Sequence, residues 1–182
     1  DDGATLLALG RCLMELAKPE AATEALQAAV RARPDEGEPR EALAFAYMSS
    51  GRYEEAAGAL RMAISNGRDT PTLRYWLGAS YHHTGKTAEA LAEYERARDG
   101  GVAELGLLRA LGALYDHAQR FGDAAAVYEE VLQQTPADAA IRYRAGVCYH
   151  RIGQPEQARR HYRALRPLSA DEAEALYRLM QD

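Results

Sequence analysis

The chain has little cysteine and little lysine. Its 182 residues hold two cysteines, Cys12 and Cys148, and two lysines, Lys18 and Lys86, beside twenty arginines. Two thiols exclude a disulfide-built domain and a cysteine-only zinc site. No apolar run approaches the roughly 18 residues of a membrane span, and no signal peptide is visible. The net charge is −5 and no long run carries one sign, so the overall balance does not point to nucleic acid or an anionic membrane. A Ser/His/Asp grouping, a phosphate-cradling glycine loop and an HExxH motif are all missing. The expectation is therefore no enzyme, no cofactor and no metal. The arginine bias, with alanine at about a fifth of the chain, fits a GC-rich bacterial source.

What is present is a repeat. A small residue falls at Gly10, Ala44, Gly78, Gly112 and Gly146, each 34 residues after the last. Three residues on stand Leu13, Tyr47, Tyr81, Tyr115 and Tyr149. Alanine follows at 22, 56, 90, 124 and 158, and then Leu26, Leu60, Tyr94, Tyr128 and Tyr162. The first half of each unit spaces its apolar residues as one face of a helix, as in Leu108, Leu111, Gly112 and Tyr115. A turn follows, with glycine at 51, 85 and 153, and then a second helix through the alanine. The small residues let two helix axes approach, and the tyrosines and leucines fill the space between pairs.

Punctuation agrees with this spacing. Thr70-Pro71 supplies an N-cap and a first-turn proline. Asn66-Gly67 and Gly100-Gly101 are helix stops, and Pro34 and Pro136 close units one and four. Ser169-Ala170-Asp171-Glu172 opens a last amphipathic helix through Ala173, Leu176, Tyr177 and Met180.

The period, with "LGASY" and "AEALAEY" in unit three and "LGALY", "AAAVY" and Pro136 in unit four, resembles the tetratricopeptide repeat family. Trp76 stands two residues later in its unit than the family tryptophan, and units two, three and five lack the closing proline. The resemblance implies an all-α fold, an α-α superhelix of five helix-turn-helix repeats over 3–36, 37–70, 71–104, 105–138 and 139–170, with a C-terminal solvating helix over 170–182. It also implies a concave groove lined by the first helix of each unit. Carried onto this chain, the groove positions give Leu7, Arg11, Met14, Glu41, Phe45, Met48, Tyr75, His82, His83, Arg109, Asp116, His117, Tyr143, His150 and Arg151. Four of the five histidines fall in this set.

Adjacent helical residues diverge by about 100°, so His82 and His83 do not chelate one metal together. A site would need help from Asp116 and His150. Solvated polar residues, or histidines that hydrogen-bond a bound peptide, are the other two readings of the pair. Leu7, Met14, Phe45 and Met48 are either core or an adaptable apolar patch in the groove. Tyr47, Tyr81, Tyr115 and Tyr149 read as packing residues. Cys12 and Cys148 read as buried free thiols, too far apart to pair.

The resulting expectation is a non-catalytic module that binds a peptide or helical segment of another protein in its groove. The alternatives are a self-associating scaffold, or a regulatory domain of a larger enzyme, since the chain opens Asp1-Asp2-Gly3 without methionine. No nucleic acid or membrane span is expected. The expected compartment is the cytoplasm, or the periplasm if a signal has been removed.

Overall fold

The computed structural model describes residues 2–181, and all regular structure among them is helical. The helices are α1 (Asp2–Glu15), α2 (Pro19–Ala32), α3 (Gly37–Ser49), α4 (Tyr53–Ser65), α5 (Pro71–His83), α6 (Thr87–Asp99), α7 (Leu105–His117), α8 (Phe121–Gln134), α9 (Ala139–Arg151), α10 (Pro155–Leu165) and α11 (Ala170–Leu179). Two compact units divide the chain, Asp1–Val102 with α1 to α6 and Ala103–Asp182 with α7 to α11. In each unit, consecutive helices pack as hairpins.

The small residue of each repeat has a definite partner. A Cβ added at Gly10 would lie 2.4 Å from the Leu26 side chain. One at Gly78 would lie 2.7 Å from the Tyr94 ring, and one at Gly112 2.5 Å from the Tyr128 ring. The large residue of the second helix is thus roofed directly by the bare backbone of the first, and that contact sets the hairpin's spacing. Leu26 and Tyr128 are fully buried as a result, and Leu60, in the unit whose small residue is Ala44, is fully buried too.

The fifth hairpin departs from this. Tyr162 does not fill the slot beside Gly146; Leu176 of α11 does, with its Cδ2 2.5 Å from a Cβ added there. Tyr162 is only half-buried and turns its ring toward Tyr177 of α11, with centroids 5.5 Å apart. The interior place in α10 goes instead to His161, 1% exposed. Leu165, Ala173 and Leu176 form a small core of their own.

Turns repeat as strictly as helices. The hairpin bends sit at Ala17, Gly51, Gly85, Gln119 and Gly153, all with positive φ between 53° and 73°. Glycine takes that left-handed conformation without cost, whereas Ala17 and Gln119 adopt it under strain. Gly67 and Gly101 end α4 and α6 in the same conformation. Thr70, Asp138 and Ser169 cap α5, α9 and α11 through side-chain oxygens that accept the N–H groups of Leu73, Ile141 and Glu172.

Two sequence expectations need correction. Leu7 is 6% exposed and packs in the core of the first unit with Leu26, Leu43 and Tyr47, so it does not line a groove. Cys12 is exposed, not buried; Cys148 is buried, and burial pushes its thiol up to about 12. The same repeat position is open in α1 and sealed in α9.

Candidate functional site

In the first unit, α1 and α3 diverge above Leu26 and leave a depression of about 420 Å³. Arg11, Met14, Glu15, Glu41, Ala42 and Phe45 line it with Leu26. The geometry follows from helical spacing: Arg11 with Met14, and Glu41 with Phe45, stand three or four residues apart and share a face. The floor is apolar, from Met14, Phe45 and Ala42. Two of the charges at its edges are paired. Arg11 donates to Glu38 at 2.8 Å, and Arg68 pairs with Glu41.

Beyond Phe45 runs an aromatic cluster that sequence reasoning caught only in part. Phe45 meets Trp76 edge to face at 5.9 Å, Trp76 lies 4.7 Å from Tyr75, and Tyr75 lies 5.9 Å from Tyr94. Met48 packs against the cores on both sides of α3. Trp76 was missed because its place in the unit differs from the family tryptophan.

The histidine pair lies elsewhere. His83 stacks flat on Tyr53 at the start of α4, with centroids 4.0 Å apart and planes 8° apart. His82 stands edge-on to it at 6.2 Å. Both are exposed. His83 is therefore committed to α4 and does not join Tyr75 and Phe45.

An ion network on the same unit also escaped the sequence. Arg74 donates to Asp69 at 2.8 Å and to Glu93 at 2.9 Å, and Arg96 donates to Glu93 at 2.6 Å. Glu93 is buried yet satisfied by two guanidinium groups. The Arg74 hydrogen bond holds the Asp69 carboxyl below the usual range, and Asp69 in turn raises Arg74.

In the second unit, α7, α9 and α11 enclose a depression of about 380 Å³ lined by Asp116, Ala140, Tyr143, Arg144, Val147 and Glu172. Arg144 approaches Asp116 at 3.5 Å. Arg109 is held away by Asp138, the cap of α9. Burial pushes the Asp138 carboxyl up, but the Ile141 N–H and Arg109 outweigh it and hold the group low. His150 is not with Tyr143: it lines a separate depression of about 290 Å³ with α10 and α11 residues. His117 and Arg151 are exposed on the last turns of α7 and α9.

The fifth histidine, outside the expected groove, is the one with a structured environment. His161 Nε2 lies 3.0 Å from Glu129, which also accepts from the Tyr149 hydroxyl at 3.5 Å. Its ring stacks on Tyr149 at 5.4 Å. Burial lowers its affinity for a proton despite the carboxylate. Among the described residues no three His, Cys, Asp or Glu side chains are grouped to hold a metal ion. No helix among them is long and apolar enough to cross a membrane.

Comparison with known proteins agrees with this architecture. A tetratricopeptide repeat family model matches residues 7–69 and 41–102, and a second matches 117–182. The chain belongs to the tetratricopeptide repeat family, whose members are in general non-catalytic interaction modules. Among solved structures, it resembles YrrB, a tetratricopeptide repeat protein with an unusual peptide-binding site, at 19% identity and TM-score 0.79, over 95% of this chain and 90% of that one. It also resembles MamA, at 18% identity and TM-score 0.77, over 95% and 94%. MamA from Desulfovibrio magneticus RS-1, residue 41 to the end, aligns at 17% identity and TM-score 0.74, over 94% and 97%. At these identities the likeness is one of fold. No curated protein matches the sequence.

Proposed function

We propose that this chain is a non-catalytic module that holds a peptide or helical segment of another protein, with the apolar depression of the first unit as the principal contact. The observation that carries the reading is the gathering of Arg11, Met14, Glu41 and Phe45 around one depression of about 420 Å³. Its floor is apolar and partly exposed, and Arg11 and Glu41 at its edge are already paired with Glu38 and Arg68, so an entering side chain displaces water without stranding either ion. Phe45 and Trp76 add aromatic area of the kind that dominates contact energies. The peptide-binding site named for YrrB supports the same reading by analogy of fold.

A peptide-display selection against the intact protein tests this. Selected peptides should lose at least about tenfold in affinity for Phe45→Ser with Met14→Ser, a loss of roughly 1.4 kcal/mol or more, while helicity stays constant. Peptides that bind this variant as well as the parent would refute the assignment of the site.

A self-associating scaffold is the second reading. Leu9 on α1 and Leu16 just past its end are 49% and 64% exposed, large apolar side chains left open to solvent near one end of the first unit. Sedimentation across a concentration series, with Leu9→Ser and Leu16→Ser, should show mass rising with concentration for the parent only. A concentration-independent monomer removes this reading.

A further inference from the structure

The charge balance, bland over the whole chain, is lopsided in one hairpin. Residues 139–166, α9 and α10, hold seven arginines against a single acidic residue, Glu156, in a chain whose net charge is −5. Three of these arginines are occupied: Arg142 donates to the Pro136 carbonyl, Arg144 approaches Asp116, and Arg159 pairs with Glu156. Arg151, Arg160, Arg163 and Arg166 are exposed, and no ion pair joins them to a described carboxylate. Four unneutralised guanidinium groups on one short hairpin make a local field that the protein leaves open.

Beside this field lies the depression of about 290 Å³ between the end of α9, the start of α10 and the end of α11. Its apolar wall is Pro155, Tyr162, Tyr177 and Met180, and Arg159 and Arg163 stand on its rim. Tyr177 is 42% exposed and holds Tyr162 at 5.5 Å with planes 35° apart, so the two rings form an open aromatic corner. The corner exists because Leu176, not Tyr162, fills the slot at Gly146, which leaves Tyr162 nearer the surface than its counterparts in the other hairpins.

We propose that this corner is a second docking site, separate from the depression in the first unit, for a short acidic segment of a partner protein bearing one large apolar or aromatic side chain. The apolar side chain enters between Tyr162, Tyr177 and Met180, a setting that favours aromatic and thioether contacts. The flanking carboxylates take Arg163 and Arg166, whose planar forks match a carboxylate edge to edge. Charge complementarity selects an acidic segment. The neighbouring carboxylates of α11, Asp171, Glu172 and Glu174, select against a long uniform polyanion such as nucleic acid, which would have to run past them.

Fluorescence anisotropy tests the proposal with a short fluorescein-labelled peptide of Asp, Glu and Gly carrying one central Trp. Saturable binding that weakens with added salt is expected, with at least about tenfold loss for Arg163→Glu with Arg166→Glu, a smaller loss for Arg163→Gln, and about fivefold loss for Tyr177→Ser. The three side chains altered, Arg163, Arg166 and Tyr177, are all exposed, and circular dichroism should be unchanged. Phe45→Ser in the first unit should bind the peptide as the parent does. The proposal is overturned by absence of saturable binding, by equal affinity for the peptide with Trp replaced by Gly, or by tighter binding of a charge-matched single-stranded oligonucleotide. Loss of binding in Phe45→Ser would assign the peptide to the first unit instead, and would equally overturn it.

Discussion

The depression in the first unit and the one lined by α7, α9 and α11 sit at related repeat positions, yet they place their charges differently. Met14 and Phe45 in the first occupy the repeat positions held by Asp116 and Val147 in the second. In the first, the acidic and basic groups pair away from the floor, Arg11 with Glu38 and Arg68 with Glu41, and leave Met14 and Phe45 bare. In the second, Arg144 reaches Asp116 across the depression itself, and Glu172 of α11 stands at its edge. A repeated backbone thus fixes where a surface is, while the side chains decide whether it offers apolar area or charge.

The contrast sharpens at the equivalent cysteines. Cys12 is exposed and Cys148 buried. A rise from 9.0 to about 12 costs Cys148 on the order of a thousandfold in thiolate at neutral pH. An aromatic disulfide reagent should therefore label one thiol in the native protein and the second only after denaturation. Rapid labelling of both under native conditions would break the comparison.

Core truncation should come next in size. Leu26→Ala and Leu176→Ala each remove a fully buried side chain facing a helical glycine, and each should cost about 2–5 kcal/mol in urea unfolding. Leu176→Ala should also free α11, seen as faster hydrogen exchange over 170–179. Gly112→Ala would push a methyl to 2.5 Å from the Tyr128 ring and should cost about 1–3 kcal/mol.

The pH response should localise to the second unit. Above the ordinary histidine value of 6.5, both folded and unfolded states hold His161 neutral and the group contributes nothing. Below it the unfolded chain binds the proton more readily than the buried ring does. Stability is therefore lost as pH falls through 6.5 and below, until the lowered folded value is passed. His161→Gln, which can still hydrogen-bond Glu129, should flatten this slope between pH 7 and pH 5; an unchanged slope assigns it to other groups. The smallest effect is a gain: Gly58 lies inside α4 with nothing within 4 Å of an added Cβ, so Gly58→Ala should add about 0.5–1 kcal/mol.

Helices, turns and hairpin pairing were legible in the sequence because each follows from local spacing repeated five times. Gly51, Gly85 and Gly153 announce left-handed turns, and Thr70 and Ser169 announce caps. What the period could not carry was any place where one unit departs from its siblings. Leu7 and Cys12 were assigned by repeat position, but burial along α1 follows that helix's own contacts: Leu7 packs with Leu26, Leu43 and Tyr47, while Cys12 is exposed. His83 was assigned to a shared wall, but a tyrosine at the head of α4 captures its ring. His161 escaped notice because burial of a histidine depends on a carboxylate 32 residues away, at Glu129. Long-range pairing of this kind leaves no periodic trace.

The exchange of Leu176 for Tyr162 also bears on the order of assembly. In the hairpins of Gly10, Gly78 and Gly112, the side chain that seals the glycine comes from 16 residues downstream, within the same pair of helices. At Gly146 it comes from 30 residues downstream, after a further loop and a further helix. The first kind of pair can zip shut alone, whereas α9 and α10 must wait for α11 to arrive before their joint is watertight.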